Sequence, residues 1–328
     1  MLSDKYTPAE LADLALEYEQ ERIRLYDERT AYRRLIRDQA RRETFAEALI
    51  RRVREKMVPL DYKGFTGIQA GAGDNDIVIT LTDVHHGIDI NNTYNIYNTD
   101  VLRNRLNEYI DKILTIQKRH GSKRAYVILS ELISGLIHPT LRIENNEDVI
   151  DQVLTVCELV GQFLSEISGY FDTVYVAMAP GNHGRVNPNK DQDLAHENFD
   201  NFILPYLQAL LQNYKNISYI QNDIEQSMAV FAVRGYLVVG AHGDRDRLNT
   251  AAQRLTLFLG RQPDYIFLGH MHYNAMRTDA GTKIIQSGSL SGMDEYCLTK
   301  RLRGNPEQVI AVINDDGLDC IYDVKFKS

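Results

Sequence analysis

Residues 77–87 read Ile77-Val78-Ile79-Thr80-Leu81-Thr82-Asp83-Val84-His85-His86-Gly87. The first six, mostly β-branched, suit a strand buried on both faces of an α/β sheet. The last five place ionisable groups where that strand stops. The pattern recurs four times. Ala125 to Ser130 runs into Glu131, and Val174 to Ala179 into Gly181-Asn182-His183. Tyr236 to Ala241 runs into His242-Gly243-Asp244, and Tyr265 to Leu268 into Gly269-His270-Met271-His272. In open α/β sheets ligands bind at the carboxyl ends of strands, which is where these groups fall.

Between the strands lie helical stretches, about Asp100 to Arg119 closed by Gly121, Glu147 to Tyr170, Leu194 to Asn213 and Arg247 to Leu259. Further strands are expected at Lys283 to Gln286, Gln308 to Ile313 and Leu318 to Phe326, the last two joined by the turn Asn314-Asp315-Asp316-Gly317. Alternation of strand and helix gives an α/β class. Upstream, residues 58–76 carry Pro59 and Gly64, Gly67, Gly71 and Gly73 and read as a linker.

Residues 1–57 read as one charged helical arm, opened by Thr7-Pro8-Ala9-Glu10, a capping-box spacing with proline at the first helical position. The expected organisation is therefore an arm (1–57), a linker (58–76) and a catalytic-type domain (77–328). The net charge of −8 divides into +1 on the arm and −9 on the remainder. From Arg22 to Lys56 the arm holds 12 basic and 6 acidic residues, including Arg33-Arg34, Arg41-Arg42 and Arg51-Arg52. A solvated face laced with i,i+4 ion pairs, a nucleic-acid contact and a homo-oligomerisation helix all fit that pattern.

The acidic total argues against bulk electrostatic coating of nucleic acid while leaving room for a local basic groove. Cys157, Cys297 and Cys320 are too few and too scattered for a disulfide framework or a thiolate metal site. No apolar run nears the roughly 18 residues of a membrane span, and Met1-Leu2-Ser3-Asp4-Lys5 lacks a signal-peptide core, so the expectation is an intracellular, cytoplasmic protein without a membrane partner.

Six of the nine histidines follow expected strands: His85, His86, His183, His242, His270 and His272. Singly each is a weak signal. Imidazole, carboxylate and amide donors at five successive strand ends are what a two-metal hydrolytic centre needs. His120, His138 and His196 lie outside that set and read as surface or helix residues. Arg185, Arg245 and Arg247 stand close enough in sequence to contact phosphate, with pairing to Asp244 and Asp246 as the alternative. His86 adjoins a ligand but points the other way in a strand pattern, making it a substrate contact or a structural residue.

The motifs Asp83-x-His85-x-Gly87, Gly181-Asn182-His183, a lone strand-end His242 and Gly269-His270-x-His272 stand in the order seen in the calcineurin-like metallophosphoesterases, which residues 76 to 295 resemble. Ser287-Gly288-Ser289-Leu290 also looks like the strand and turn after that last motif. The resemblance implies a two-sheet β sandwich flanked by helices, here with a long N-terminal helical arm. It implies one metal on Asp83, His85 and His272, a second on Asn182, His242 and His270, and His183 at the scissile phosphate or leaving group. One motif departs: the family has Gly-Asp, with the aspartate bridging the metals, where this chain has Ser130-Glu131. Glutamate keeps the charge and adds a methylene.

The implied activity is a phosphodiesterase or nuclease using metal-activated water. Mixed nitrogen and oxygen donors suit manganese, iron or zinc, and the nuclease-like branch of the family favours manganese. The whole chain also resembles phage-type members with a helical extension, and its first motif resembles the DNA-repair nuclease branch, so nucleic acid is the expected substrate. A small phosphodiester such as a cyclic nucleotide, or a non-catalytic metal-binding scaffold, are the alternatives.

Overall fold

The computed structural model describes residues 7–61, 72–137, 141–189, 192, 194, 197–301 and 304–327. His138 and His196 lie outside them. Compact packing divides the chain after Met57. The first unit is one helix, α1 (Pro8–Lys56). The second begins at Val58, and its elements in order are β1 (Asn75–Thr82), β2 (Ile90–Asn91), β3 (Ile96–Tyr97), α2 (Thr99–His120), β4 (Arg124–Ser130), α3 (Leu141–Glu144), α4 (Val149–Ser168), β5 (Thr173–Met178), α5 (Asp200–Leu210) and β6 (Ile217–Tyr219). There follow β7 (Met228–Val233), β8 (Tyr236–Ala241), α6 (Ala251–Leu259), β9 (Tyr265–Leu268), β10 (Ala275–Asp279), β11 (Thr282–Gln286), α7 (Glu295–Lys300), β12 (Glu307–Asn314) and β13 (Gly317–Lys325). Among the described residues, no helix is long and apolar enough to cross a membrane.

Two sheets pack face to face with helices outside, the sandwich the sequence leads one to expect. The first has strand order β13-β12-β1-β4-β5-β6 and the second β10-β11-β9-β8-β7. The layer between them is apolar: Val78, Tyr126, Ile128, Val309 and Ala311 from the first sheet meet Val238, Phe267 and Ile285 from the second. On the first sheet's other face Ile77, Ile79 and Leu81 are fully buried, and Tyr109 of α2 stacks on Phe163 of α4 at 5.9 Å between ring centroids. Under the second sheet Val239, Ile266 and Ile284 pack on Ala251, Ala252 and Leu255 of α6. With both faces of β1 covered, polar side chains occur on it only where they are bonded, as Thr80 is to Ser287 and to the Val309 carbonyl.

Helix ends follow local chemistry. Asn98 caps α2 by accepting from the amides of Asp100 and Val101, and Gly121 closes it in the left-handed region at φ 66°. Asp148 caps α4 in the same manner. The turn at residues 314–317 joins β12 to β13 with Asn314 facing Gly317.

Two expected helices are shorter than their sequence pattern. The stretch from Leu194 is helical only from Asp200, because Asn198 and Asp200 bond a neighbouring turn instead of continuing a helix. The stretch from Arg247 is helical only from Ala251, after a turn closed by the Arg247 carbonyl. The short pairs β2–β3 and β6, and the strand β7, carry too few residues or too little punctuation to stand out in the sequence.

Phe267 sits at the centre of the layer between the sheets, 1% exposed. Its replacement by alanine leaves a cavity there, and the expected loss is about 3–5 kcal/mol in urea denaturation; a loss below about 1 kcal/mol would show that the layer collapses freely around it.

Candidate metal centre

Strands β1, β4 and β5 are parallel to one another, as are β8 and β9, so their carboxyl ends gather at one edge. Backbone bonds stitch those ends together. The Asp83 amide donates to the Ser130 carbonyl at 3.1 Å, the Val84 amide to Glu131 at 3.0 Å and the Gly269 amide to His242 at 2.7 Å. Across the sandwich, the amides of Leu290 and Ser291 and the hydroxyl of Ser289 all donate to the Asp83 carbonyl. Buried Arg105 in turn donates to the carbonyls of Leu290 and Ser291.

The donor-bearing residues have unusual backbones. Asp83, His85, Glu131, His270 and His272 hold φ between 48° and 69°, a region shared by only three other non-glycine residues among those described. Each such conformation costs of order 1–3 kcal/mol and persists only where surrounding bonds impose it. Here the strain throws successive side chains off the strand axes towards one point.

One group of donors is Asp83, His85 and His272. Asp83 Oδ1 lies 3.9 Å from His85 Nε2 and 3.4 Å from His272 Nε2, and the two nitrogens are 3.2 Å apart. The point equidistant from these three atoms is about 2.0 Å from each, the length of a bond from imidazole or carboxylate to a divalent transition metal. A second group centres on His242 Nε2, which is 2.5 Å from Glu131 Oε2, 3.1 Å from Asn182 Oδ1 and 3.2 Å from His270 Nδ1. That nitrogen carries one hydrogen at most and cannot bond all three neighbours well at once, whereas a cation between them can.

Glu131 joins the groups by dividing its oxygens. Oε2 faces His242 and accepts the Asn182 amide at 2.9 Å, while Oε1 lies 3.7 Å from His85 and 3.6 Å from His183 Nε2. The extra methylene fits because Gly181 packs directly on the glutamate, where a Cβ would collide with its side chain. Ser130 bonds His242 Nδ1 at 3.0 Å and fixes that ring.

The electrostatics are those of a donor set holding protons in the cation's place. Burial disfavours charge on His242, yet Glu131, Asp83 and Asp244 outweigh it and raise the imidazole to about 9. Burial is likewise outweighed at His272, where the bond to Asp83 raises the pKa well above the ordinary value. Glu131, despite its burial, is held well below the usual range by His242 and His183, and Asp83 is lowered chiefly by His272. His85, buried beside His183, falls to about 3.

All seven sequence-expected donors, Asp83, His85, Glu131, Asn182, His242, His270 and His272, thus come together, and His183 stands beside them. His183 Nδ1 bonds the Ser134 carbonyl at 2.7 Å, which turns Nε2 inward. Arg185 reaches back with Nε to the Asn182 carbonyl at 3.0 Å. Arg245 and Arg247 are exposed, and Asp246 pairs with Arg254 instead of with either. His86 is turned away: it is buried and its Nε2 meets Glu147 at 3.1 Å. His120 bonds the Tyr322 hydroxyl, remote from the cluster in sequence and function.

Sequence reasoning missed the clamp beneath Gly181-Asn182-His183. Asn198 Nδ2 donates to the Gly181 carbonyl and Asp200 Oδ2 accepts the Gly181 amide, both at 2.8 Å. Neither residue sits in a motif, so no local pattern could have marked them.

No family model and no curated protein matches the chain. Solved structures give distant likenesses. An archaeal phosphodiesterase is 10% identical over 76% of this chain and 99% of its own, at a TM-score of 0.37. Vps29 of Entamoeba histolytica, complexed with zinc, is 12% identical over 76% and 99%, at 0.34. A conserved protein of Streptococcus pneumoniae described as a predicted phosphoesterase is 10% identical over 77% and 99%, at 0.33. The reading of the site rests on its own geometry.

Asp200 supplies a test of the clamp. Burial raises its carboxyl to about 7, outweighing the backbone amides of Gly181 and Leu132 that favour the charged form. The unfolded chain loses this proton near pH 4, the folded protein only near 7. Stability therefore falls as pH rises through that window and levels off above it. Asp200→Asn keeps an acceptor for the Gly181 amide and cannot titrate, so urea denaturation at pH 4.5 to 7.5 is expected to show a shallower decline than in the wild type. Identical slopes would mean that Asp200 is charged in the fold.

Proposed function

We propose that this chain is a two-metal-dependent phosphoester hydrolase of the calcineurin-like metallophosphoesterase type, acting on phosphodiester bonds of nucleic acid. The observation that carries the reading is the divided carboxylate of Glu131, one oxygen turned to each of two donor groups that five strand ends deliver. Asp83, His85 and His272 would hold one cation, and Asn182, His242 and His270 the other, with Glu131 between them. Manganese is the proposed metal, with iron and zinc served by the same donors.

Two divalent ions in this position supply Lewis acidity towards the phosphoryl oxygens and lower the pKa of water. The chain supplies the rest. With Nδ1–H donated to the Ser134 carbonyl, His183 presents Nε2 to the centre, where it can carry a proton to the departing oxygen. Arg185 is anchored through Nε, so its terminal nitrogens are the part that can meet a substrate phosphate. Arg245 and Arg247, exposed in the loop just past His242, are further candidates for contacts to substrate phosphate. The arginine-rich half of the arm is the further support for nucleic acid. The net −9 of the remaining residues favours instead a small phosphodiester, such as a cyclic nucleotide, for which a repelling surface matters less.

The substrate question is settled by incubating the metal-loaded protein with labelled single- and double-stranded DNA beside bis(4-nitrophenyl) phosphate. Cleavage of DNA is the expected result. Turnover of the ester alone would assign a small-molecule substrate, and no turnover with two ions bound would leave a scaffold.

His183→Ala is expected to lower kcat by about 10²–10⁴ while metal content by elemental analysis stays at the wild-type level; an unchanged kcat would remove His183 from the reaction. Metal binding must displace the protons that His242 and His272 hold. Affinity for manganese, measured by calorimetry, should accordingly rise from pH 6 towards 9, and a flat profile would contradict the proton-holding donor set.

A further inference from the structure

We propose that α1 pairs with the α1 of a second copy of this chain, antiparallel, as a two-stranded coil. The inference is independent of the catalytic reading and starts from the apolar side chains that α1 leaves exposed. Over 49 residues, about 74 Å, α1 exposes Tyr18, Leu25, Tyr32 and Leu35, each more than half accessible. A helix of this length carrying apolar residues along its whole course gains its stability by covering them.

The sequence contains a seam that a second helix would cover. Stepping by seven from Leu11 gives Tyr18, Leu25, Tyr32, Gln39, Ala46 and Val53, all apolar except Gln39. The companion positions, stepping from Leu14, are Glu21, Glu28, Leu35, Arg42, Leu49 and Lys56. These are the a and d positions of a heptad, with four charges placed in the d row, the last at the helix end.

Those charges decide the orientation. Parallel pairing in register would set Glu21, Glu28 and Arg42 each against its own copy, like charge on like. Antiparallel pairing opposes a with d, and the register centred between Arg33 and Arg34 matches Tyr18 with Leu49, Tyr32 with Leu35, and Val53 with Leu14. In that register Arg42 faces Leu25 of the second copy and lies between its Glu21 and Glu28, so each charge in the interior of the seam has an opposite neighbour, while Lys56 falls at the exposed helix end. The whole helix agrees: the sequence up to Glu21 has one basic and six acidic residues, whereas Arg22 to Lys56 has 12 basic and 6 acidic. Antiparallel pairing lays the acidic third along the basic remainder, and charge complementarity of this kind fixes partner orientation in coiled coils.

The full-length chain carrying Cys320→Ser, which leaves Cys157 and Cys297 buried, is the starting protein. Tyr18→Cys and Leu49→Cys variants are mixed, equilibrated and oxidised. Antiparallel pairing predicts a cross-linked dimer in the mixture at a yield at least tenfold above either variant alone. Cross-linking of Leu49→Cys to itself, with none gained in the mixture, would establish a parallel pair and overturn the proposal. Sedimentation equilibrium of the wild-type chain should give a mass about twice 37.5 kDa, and Tyr32→Asp with Leu35→Asp should return it to the single-chain mass with the unfolding of residues 58–328 unaltered. A wild-type chain that stays at the single-chain mass at 50 µM would equally overturn the pairing, whether or not its arm arginines retard a single-stranded oligonucleotide.

Discussion

Two carboxylates, Asp83 and Glu131, are almost completely removed from water at one edge of the sandwich. A buried charge is tolerable only when a neighbour balances it and hydrogen bonds satisfy its remaining lone pairs. The chain meets the second demand with backbone amides, those of His270 on Asp83 and Asn182 on Glu131. The first demand falls on imidazoles, which either hold protons or share a cation. Everything else at this edge, from the left-handed backbones to the buried Arg105 under the Asp83 loop, serves to keep those charges facing one another.

That constraint explains why both sheets are needed. No single strand end offers more than two inward donors, and a divalent ion in a mixed imidazole and carboxylate site takes four or more ligands. Parallel order within β1, β4 and β5 collects Asp83, His85, Glu131, Asn182 and His183 along one edge, and the second sheet brings His242, His270 and His272 over them. Phe267 and its neighbours in the apolar layer thus act on the chemistry indirectly, by fixing the separation of the two sheets.

Ser130 and Glu131 act together. The glutamate reaches both donor groups because Gly181 leaves room for it, and the serine orients the ring which the acid contacts most closely. Substitution at one member of a packed polar set is met by its neighbours, since an unpaired buried oxygen costs more than a rearranged bond.

The fold class, and the set of residues that gather at one edge of the sandwich, were legible in the sequence because both depend on local pattern: short apolar runs, each followed by a histidine, aspartate, glutamate or asparagine. His242, an isolated histidine, gained meaning only from its place after an expected strand. The starts of α5 and α6 were misjudged, since Asn198 and the Arg247 carbonyl spend on tertiary bonds and turns what a local pattern assigns to helix. The turning of His86 towards Glu147, the split of the Glu131 oxygens, and the clamp of Asn198 and Asp200 on Gly181 were decided by tertiary structure alone. Sequence fixes which groups follow each strand, through period and propensity acting over a few residues. Which atoms then meet depends on strand order and on strained backbones held by bonds from segments between 17 and 206 residues away, and no local pattern encodes those pairings.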